Sequence, residues 1–204
     1  MSNPVKLFIV EGESRDYRFV NEMTRGFFKG RYTSTIINLP ASQNLYMLYQ
    51  KLEEDNFETD VVEVLKEIVD DAQTKLANVK RQDIDEVYLF FDYDAHQDNI
   101  GAAMPNGPEI MIKMLNAFDN ETENGKLYIS YPMVEALYDY NEGECSAFSE
   151  CYISLDSVGH YKELSGKNNP NASRRITIEY WRQILNVFYL RLQCLFSKEN
   201  IDFQ

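Results

Sequence analysis

Four short apolar runs, separated by stretches with helical periodicity, constrain the fold of this chain more than any other feature. The runs lie at residues 5–10 (VKLFIV), 34–39 (STIINL), 87–91 (VYLFF) and 126–130 (KLYIS). They are too short for core helices and rich in β-branched and aromatic residues, so they read as buried strands. After the first run, Phe19, Met23 and Phe27 recur at i, i+4 and i+8, one face of a helix that Ser14 can cap. Residues 43–54 read as helical. A longer helix at about 60–77 is expected to turn Val61, Leu65, Ile68, Ala72 and Leu76 inward. Gly101, Pro105, Gly107 and Pro108 mark a loop, followed by a helix at about 108–118. Pro132 suits the first turn of another helix carrying Val134, Glu135, Leu137 and Tyr138. Strands alternating with helices predict an α/β fold, a mostly parallel sheet flanked on both faces by helices.

The 204 residues suit one large domain, or a compact domain with an added segment. The expected division is an α/β domain over residues 1–140, with a helical insertion at about 43–82. A C-terminal extension over 141–204 would pack on it and end in a long helix at about 177–197. No apolar run approaches the length of a membrane span, and the N-terminus lacks the pattern of a signal peptide. Cys145, Cys151 and Cys194 form neither a disulfide framework nor a CxxC site. A cytoplasmic location without membrane association is therefore expected.

Net charge is −13, and it is unevenly spread. Residues 51–100 hold five basic and fifteen acidic groups, and residues 101–150 hold two and nine. The two ends are each slightly basic. Much of this acidity reads as solvated helix surface, but three carboxylates stand where parallel sheets collect ligands, just beyond the carboxyl ends of strands. Glu11 follows the first run, and Asp92 and Asp94 follow the third. Neighbouring carboxylates repel and are costly to desolvate. A hard divalent cation such as Mg²⁺ or Mn²⁺ offsets both costs through oxygen ligands. An Asp-x-Asp spacing places both carboxylates on one side of an extended backbone. Asp16, in the first turn of the first helix, and Glu135, just past the fourth run, are candidates for a second ion. The alternative for each is a first-turn carboxylate that favours the helix dipole.

The pairing of Val10-Glu11-Gly12-Glu13 after the first strand with Asp92-Tyr93-Asp94 after a later one resembles the Toprim domain. The resemblance spans about residues 5–140 and implies a Rossmann-like fold. It implies catalytic or metal-binding roles for Glu11 and Mg²⁺ binding by Asp92 and Asp94. An acidic residue four or five positions after the glutamate is common in Toprim nucleases, and Asp16 fits that place. The chain lacks a primase zinc motif and the context of a topoisomerase tyrosine. Its size resembles that of small Toprim nucleases of the overcoming-lysogenization-defect type and of anti-phage defence systems, some of which work beside a separate ATPase. The implied activity is metal-assisted cleavage of phosphodiester bonds in DNA or RNA. The alternative is a catalytically silent Toprim-like subunit acting with a partner ATPase. A haloacid-dehalogenase-type phosphatase fits less well, because His96 stands where that fold wants Thr or Val. A DxD nucleotide-sugar transferase leaves Glu11 unexplained.

Nucleic acid would need cations. Arg15, Arg18, Arg25 and Lys29 fall on one side of the first helix, and Arg174 and Arg175 close the loop before the last helix. The ordinary reading of the first set is a solvated face with Glu22 forming local ion pairs. The last helix is apolar over a wide arc. It carries Ile178, Trp181, Leu185, Phe188, Leu192 and Leu195 in one rhythm, extended by Tyr180, Ile184, Val187 and Cys194. Such a helix is either deeply buried or an interface for a homo-oligomer or partner.

Overall fold

The fold is seen in a computed structural model that describes residues 4–11, 15–40, 44–92, 107–130, 134–138, 160, 161, 163, 165 and 176–199. The expected strands form at β1 (Val5–Glu11), β2 (Thr33–Leu39), β3 (Glu86–Asp92) and β5 (Gly125–Ser130). A two-residue strand, β4 (Asp119–Asn120), was not expected and pairs antiparallel with β5. The helices of this part are α1 (Arg15–Phe27), α2 (Leu45–Glu54), α3 (Val61–Ile68), α4 (Asp70–Lys75) and α5 (Gly107–Ala117). The sheet order is β2-β1-β3-β5-β4, and every pair except β4–β5 is parallel. The chain is thus α/β with a mostly parallel, Rossmann-like sheet.

Alternation along the strands divides the core into two faces. Leu7, Ile9, Ile37, Leu39, Val87, Leu89 and Phe91 face a large buried cluster that includes Leu45, Leu48, Leu52, Val61, Leu65, Ala72 and Leu76 from α2 to the end of α4. Phe8, Val10 and Ile36 face the other way and pack with Val20 of α1. On that second face a row of rings crosses the sheet. Phe8 stacks on Tyr88 at 5.2 Å, and Phe90 stacks on Tyr128 at 5.5 Å between centroids. Lys6 pairs with Glu86 and lies over the Tyr32 and Tyr88 rings.

Several elements depart from expectation. The single helix expected at 60–77 is two, because Val69 is extended (φ −126°, ψ 113°) and ends α3 while starting α4. A β-branched residue buried in the core fits that conformation, and Asp70 and Asp71 then occupy the favourable first turn of α4. The inward face of α1 is Asp16, Phe19, Val20 and Thr24, while Met23 and Phe27 are half-buried. In place of a helix after Pro132 there is a five-residue 3₁₀ turn, Val134–Tyr138.

The chain divides into two compact units, Met1–Tyr131 and Pro132–Gln204. The second contains the 3₁₀ turn and α6 (Ile178–Glu199). Tyr180, Trp181, Ile184 and Val187 of α6 are buried, but Leu185 and Leu192, expected to share the core-facing rhythm, are exposed. No described helix is long and apolar enough to cross a membrane.

Candidate active site at the switch point of the sheet

From β1 the chain runs to β2 on one side, then returns to place β3 on the other side of β1. Connections leaving a sheet in opposite directions open a crevice at the strand carboxyl ends. Here that switch point lies between β1 and β3. Glu11 stands one residue beyond Val10, and Asp92 two beyond Phe90, the last register pair of these strands. Two carboxylates therefore flank the one place in the sheet where the topology itself prepares a ligand site.

Glu11 is held from a third direction. Its Oε1 accepts a hydrogen bond of 2.7 Å from the backbone N–H of Leu45, the first residue of α2. Helix starts carry unsatisfied N–H groups and partial positive charge, so a carboxylate is a natural partner. Asn44 caps the same helix, its side chain accepting from Met47 N–H at 3.0 Å. Despite these donors, the Glu11 carboxyl is pushed up from 4.5 to about 7. Burial is the largest cause, and the hydrogen bond from Leu45 opposes it. The charge of Asp92 raises it further, the backbone N–H of Asp92 favours the ionised form, and the charge of Asp16 raises it again. Glu11, Asp92 and Asp16 thus feel one another as a group, and Asp16 itself is buried, at 7% exposure.

Glu135 is buried in the 3₁₀ turn of the second unit. Asp94, Arg174 and Arg175 lie outside the described residues, as do Gly12, Glu13, His96 and Asp98. In α1, Arg15 and Arg18 are half-buried while Arg25 and Lys29 are exposed. Arg18 makes the i,i+4 ion pair with Glu22 at 3.6 Å, which ties one of the candidate phosphate-binding cations to its own helix.

Two features at this end of the sheet escaped the reading of the sequence. The Leu45 N–H is a backbone donor, and side-chain patterns do not reveal where a backbone amide points. Asn38 is the other. It lies beside Val10 in the β1–β2 register, and its Oδ1 is buried without a hydrogen-bond partner among the described residues. A polar residue near the end of an apolar strand, at Asn38-Leu39-Pro40, was the available signal.

The donor chemistry suits a hard cation. Glu11, Asp16 and Asp92 offer oxygen alone. Among the described residues no three His, Cys, Asp or Glu side chains gather closely enough to hold an ion by themselves. Mg²⁺ commonly takes only one or two carboxylates and completes its shell with water and phosphate oxygen. Comparison with known protein families, with curated proteins and with solved structures finds no match.

Proposed function

We propose that this chain is a metal-dependent nuclease of the Toprim type, cleaving phosphodiester bonds of DNA or RNA with Mg²⁺ or Mn²⁺. The observation that carries the reading is the desolvated Glu11 at the β1–β3 switch point, its carboxyl raised to about 7 with Asp92 and Asp16 as charged neighbours. A desolvated carboxyl with charged neighbours at a sheet switch point is a functional-site signature, and a bound cation would offset both the burial and the repulsion.

In this reading Asp92 and Asp94 would be ligands, Glu11 would be a ligand or a general acid/base, and Asp16 is a contingent addition. An ion held there would supply an acidified water and neutralise charge on the phosphate. In the acid/base role Glu11 is suited to hold or release a proton near neutral pH, because its metal-free carboxyl is raised to about 7. The Leu45 N–H fixes the orientation of that carboxyl. Arg15, Arg18, Arg25, Arg174 and Arg175 are the proposed contacts to the phosphate backbone. Cytoplasmic action in anti-phage defence, beside an ATPase, belongs to the same proposal and rests on the resemblance alone.

The distribution of charge favours a second reading, a silent interaction subunit. Residues 51–150 carry seven basic and twenty-four acidic groups, and such a surface repels free nucleic acid. Cleavage assays separate the two. Wild type should cut DNA or RNA only with Mg²⁺ or Mn²⁺, and Glu11→Gln, Asp92→Asn and Asp94→Asn should each lose about 10²-fold or more. Full activity in all three variants would remove the site assignment. Absence of cleavage by wild type, alone and with a co-purified partner, would select the interaction subunit.

A further inference from the structure

The last helix has a second apolar stripe, opposite its buried one. Ile178, Arg182, Leu185, Tyr189, Leu192 and Phe196 follow one another at steps of 4, 3, 4, 3 and 4 residues. This is a repeat of 3.5 residues, the spacing of a seam between paired helices, and it runs the length of α6. The middle of the seam is open. Leu185 is 57% exposed, Tyr189 53% and Leu192 43%, and Arg182 is exposed beside them. Ile178 and Phe196 close its ends half-buried. A helix that packs on its own domain needs one apolar stripe, made here by Tyr180, Trp181, Ile184 and Val187.

We propose that this seam is the interface of a homodimer in which α6 lies antiparallel to α6 of a second copy. The seam is self-complementary in that orientation. With a two-fold axis level with residue 187, Ile178 meets Phe196, Arg182 meets Leu192, and Leu185 meets Tyr189 of the second copy. Each layer then occurs twice. Every layer sets one seam position against the other, so no side chain meets its own copy. A parallel pair would bring Arg182 against Arg182 in a closing layer, and like charges there are strongly unfavourable. In the antiparallel pair the Arg182 stem lies on Leu192 and its guanidinium reaches water. The exposed flanks are Glu179, Asn186 and Gln193, and Gln193 donates to the Tyr189 hydroxyl at 3.0 Å, which steadies that ring.

The size of the seam sets the strength. A helix of 22 residues is about 33 Å long. A pair of that length covers on the order of 1,000 Å², the lower bound for a specific stable interface. An interface of that size is expected to be weak and concentration-dependent. Because each copy carries −13, salt should strengthen the association by screening repulsion between copies.

Sedimentation velocity on the full chain tests this. The expected result is a monomer–dimer equilibrium with a midpoint on the order of 10 µM, shifted toward dimer by added salt. Leu185→Glu with Leu192→Glu should be monomeric with an unchanged circular dichroism spectrum. Arg182→Leu, at an exposed position, should tighten the dimer about tenfold and decides the matter if the glutamate variant does not fold. With Cys145, Cys151 and Cys194 replaced by serine, Arg182→Cys mixed with Leu192→Cys should give the mixed disulfide. A wild type that stays monomeric at roughly 200 µM, a dimer indifferent to the glutamate and leucine variants, or an Arg182→Cys homodisulfide formed in preference would each overturn the proposal.

Discussion

Glu11 is in tension with itself. Its carboxyl anchors the first turn of α2, a task that favours charge, yet its surroundings favour the proton. The folded protein holds that proton up to about pH 7, whereas an ordinary carboxyl releases it near 4.5. The resulting stabilisation is fully present below about 4.5, declines as pH rises, and is gone above about 7. The difference is on the order of 3 kcal/mol. Glu11→Gln should therefore stabilise the metal-free protein at pH 8 by up to that amount and leave it nearly unchanged at pH 4.5. Urea unfolding with chelator at both pH values measures it, and equal effects at both would remove the assigned shift. Glu11 and Asp92 were legible because an acid that ends an apolar strand is locally anomalous. Asp16 was legible only through its spacing from Glu11, and its burial comes from the packing of α1. Asn38 was missed because a single amide in a run of apolar residues looks like ordinary strand-end punctuation.

Among the elements, β5 depends on its first residue. Gly125 has φ +116°, and a Cβ there would lie 2.5 Å from Leu89 Cδ1 and 3.0 Å from Val87 Cγ1. Both neighbours are fully buried residues of β3. Gly125→Ala combines backbone strain with overpacking and should cost about 2–5 kcal/mol, visible as a lower urea midpoint. At α3, Asp60 accepts from the N–H groups of Val62 and Glu63 at 2.8 and 3.0 Å. Asp60→Ala should cost about 1 kcal/mol, read in the same way. Strand positions were legible because apolar runs of that length have few alternatives. The break at Val69 was not, since the apolar rhythm of residues 61–76 continues across it. What ends α3 is the extended conformation of one buried residue, a decision taken by the core. The stripe on α1 was read from its largest apolar residues, whereas the burial also takes in Asp16 and Thr24.

For the molecule as a whole, charge is the dominant long-range term. A chain of −13 repels itself when compact. Raising salt from about 10 to about 150 mM should lift the melting temperature at pH 8 by roughly 2–4 °C, and thermal scans across ionic strength would check this. Alternating strands and helices made the α/β class legible. The order β2-β1-β3-β5-β4 was not, because periodicity does not say which strands become neighbours. That order sets β1 beside β3, so Glu11 and Asp92, far apart in the chain, stand at neighbouring strand ends. One consequence lies in the bond from Leu45 to Glu11. It makes a single backbone amide a built-in spectroscopic reporter. The Leu45 resonance should move with an inflection near pH 7, the value to which Glu11 is raised, and should respond to a cation at the crevice without any label being introduced.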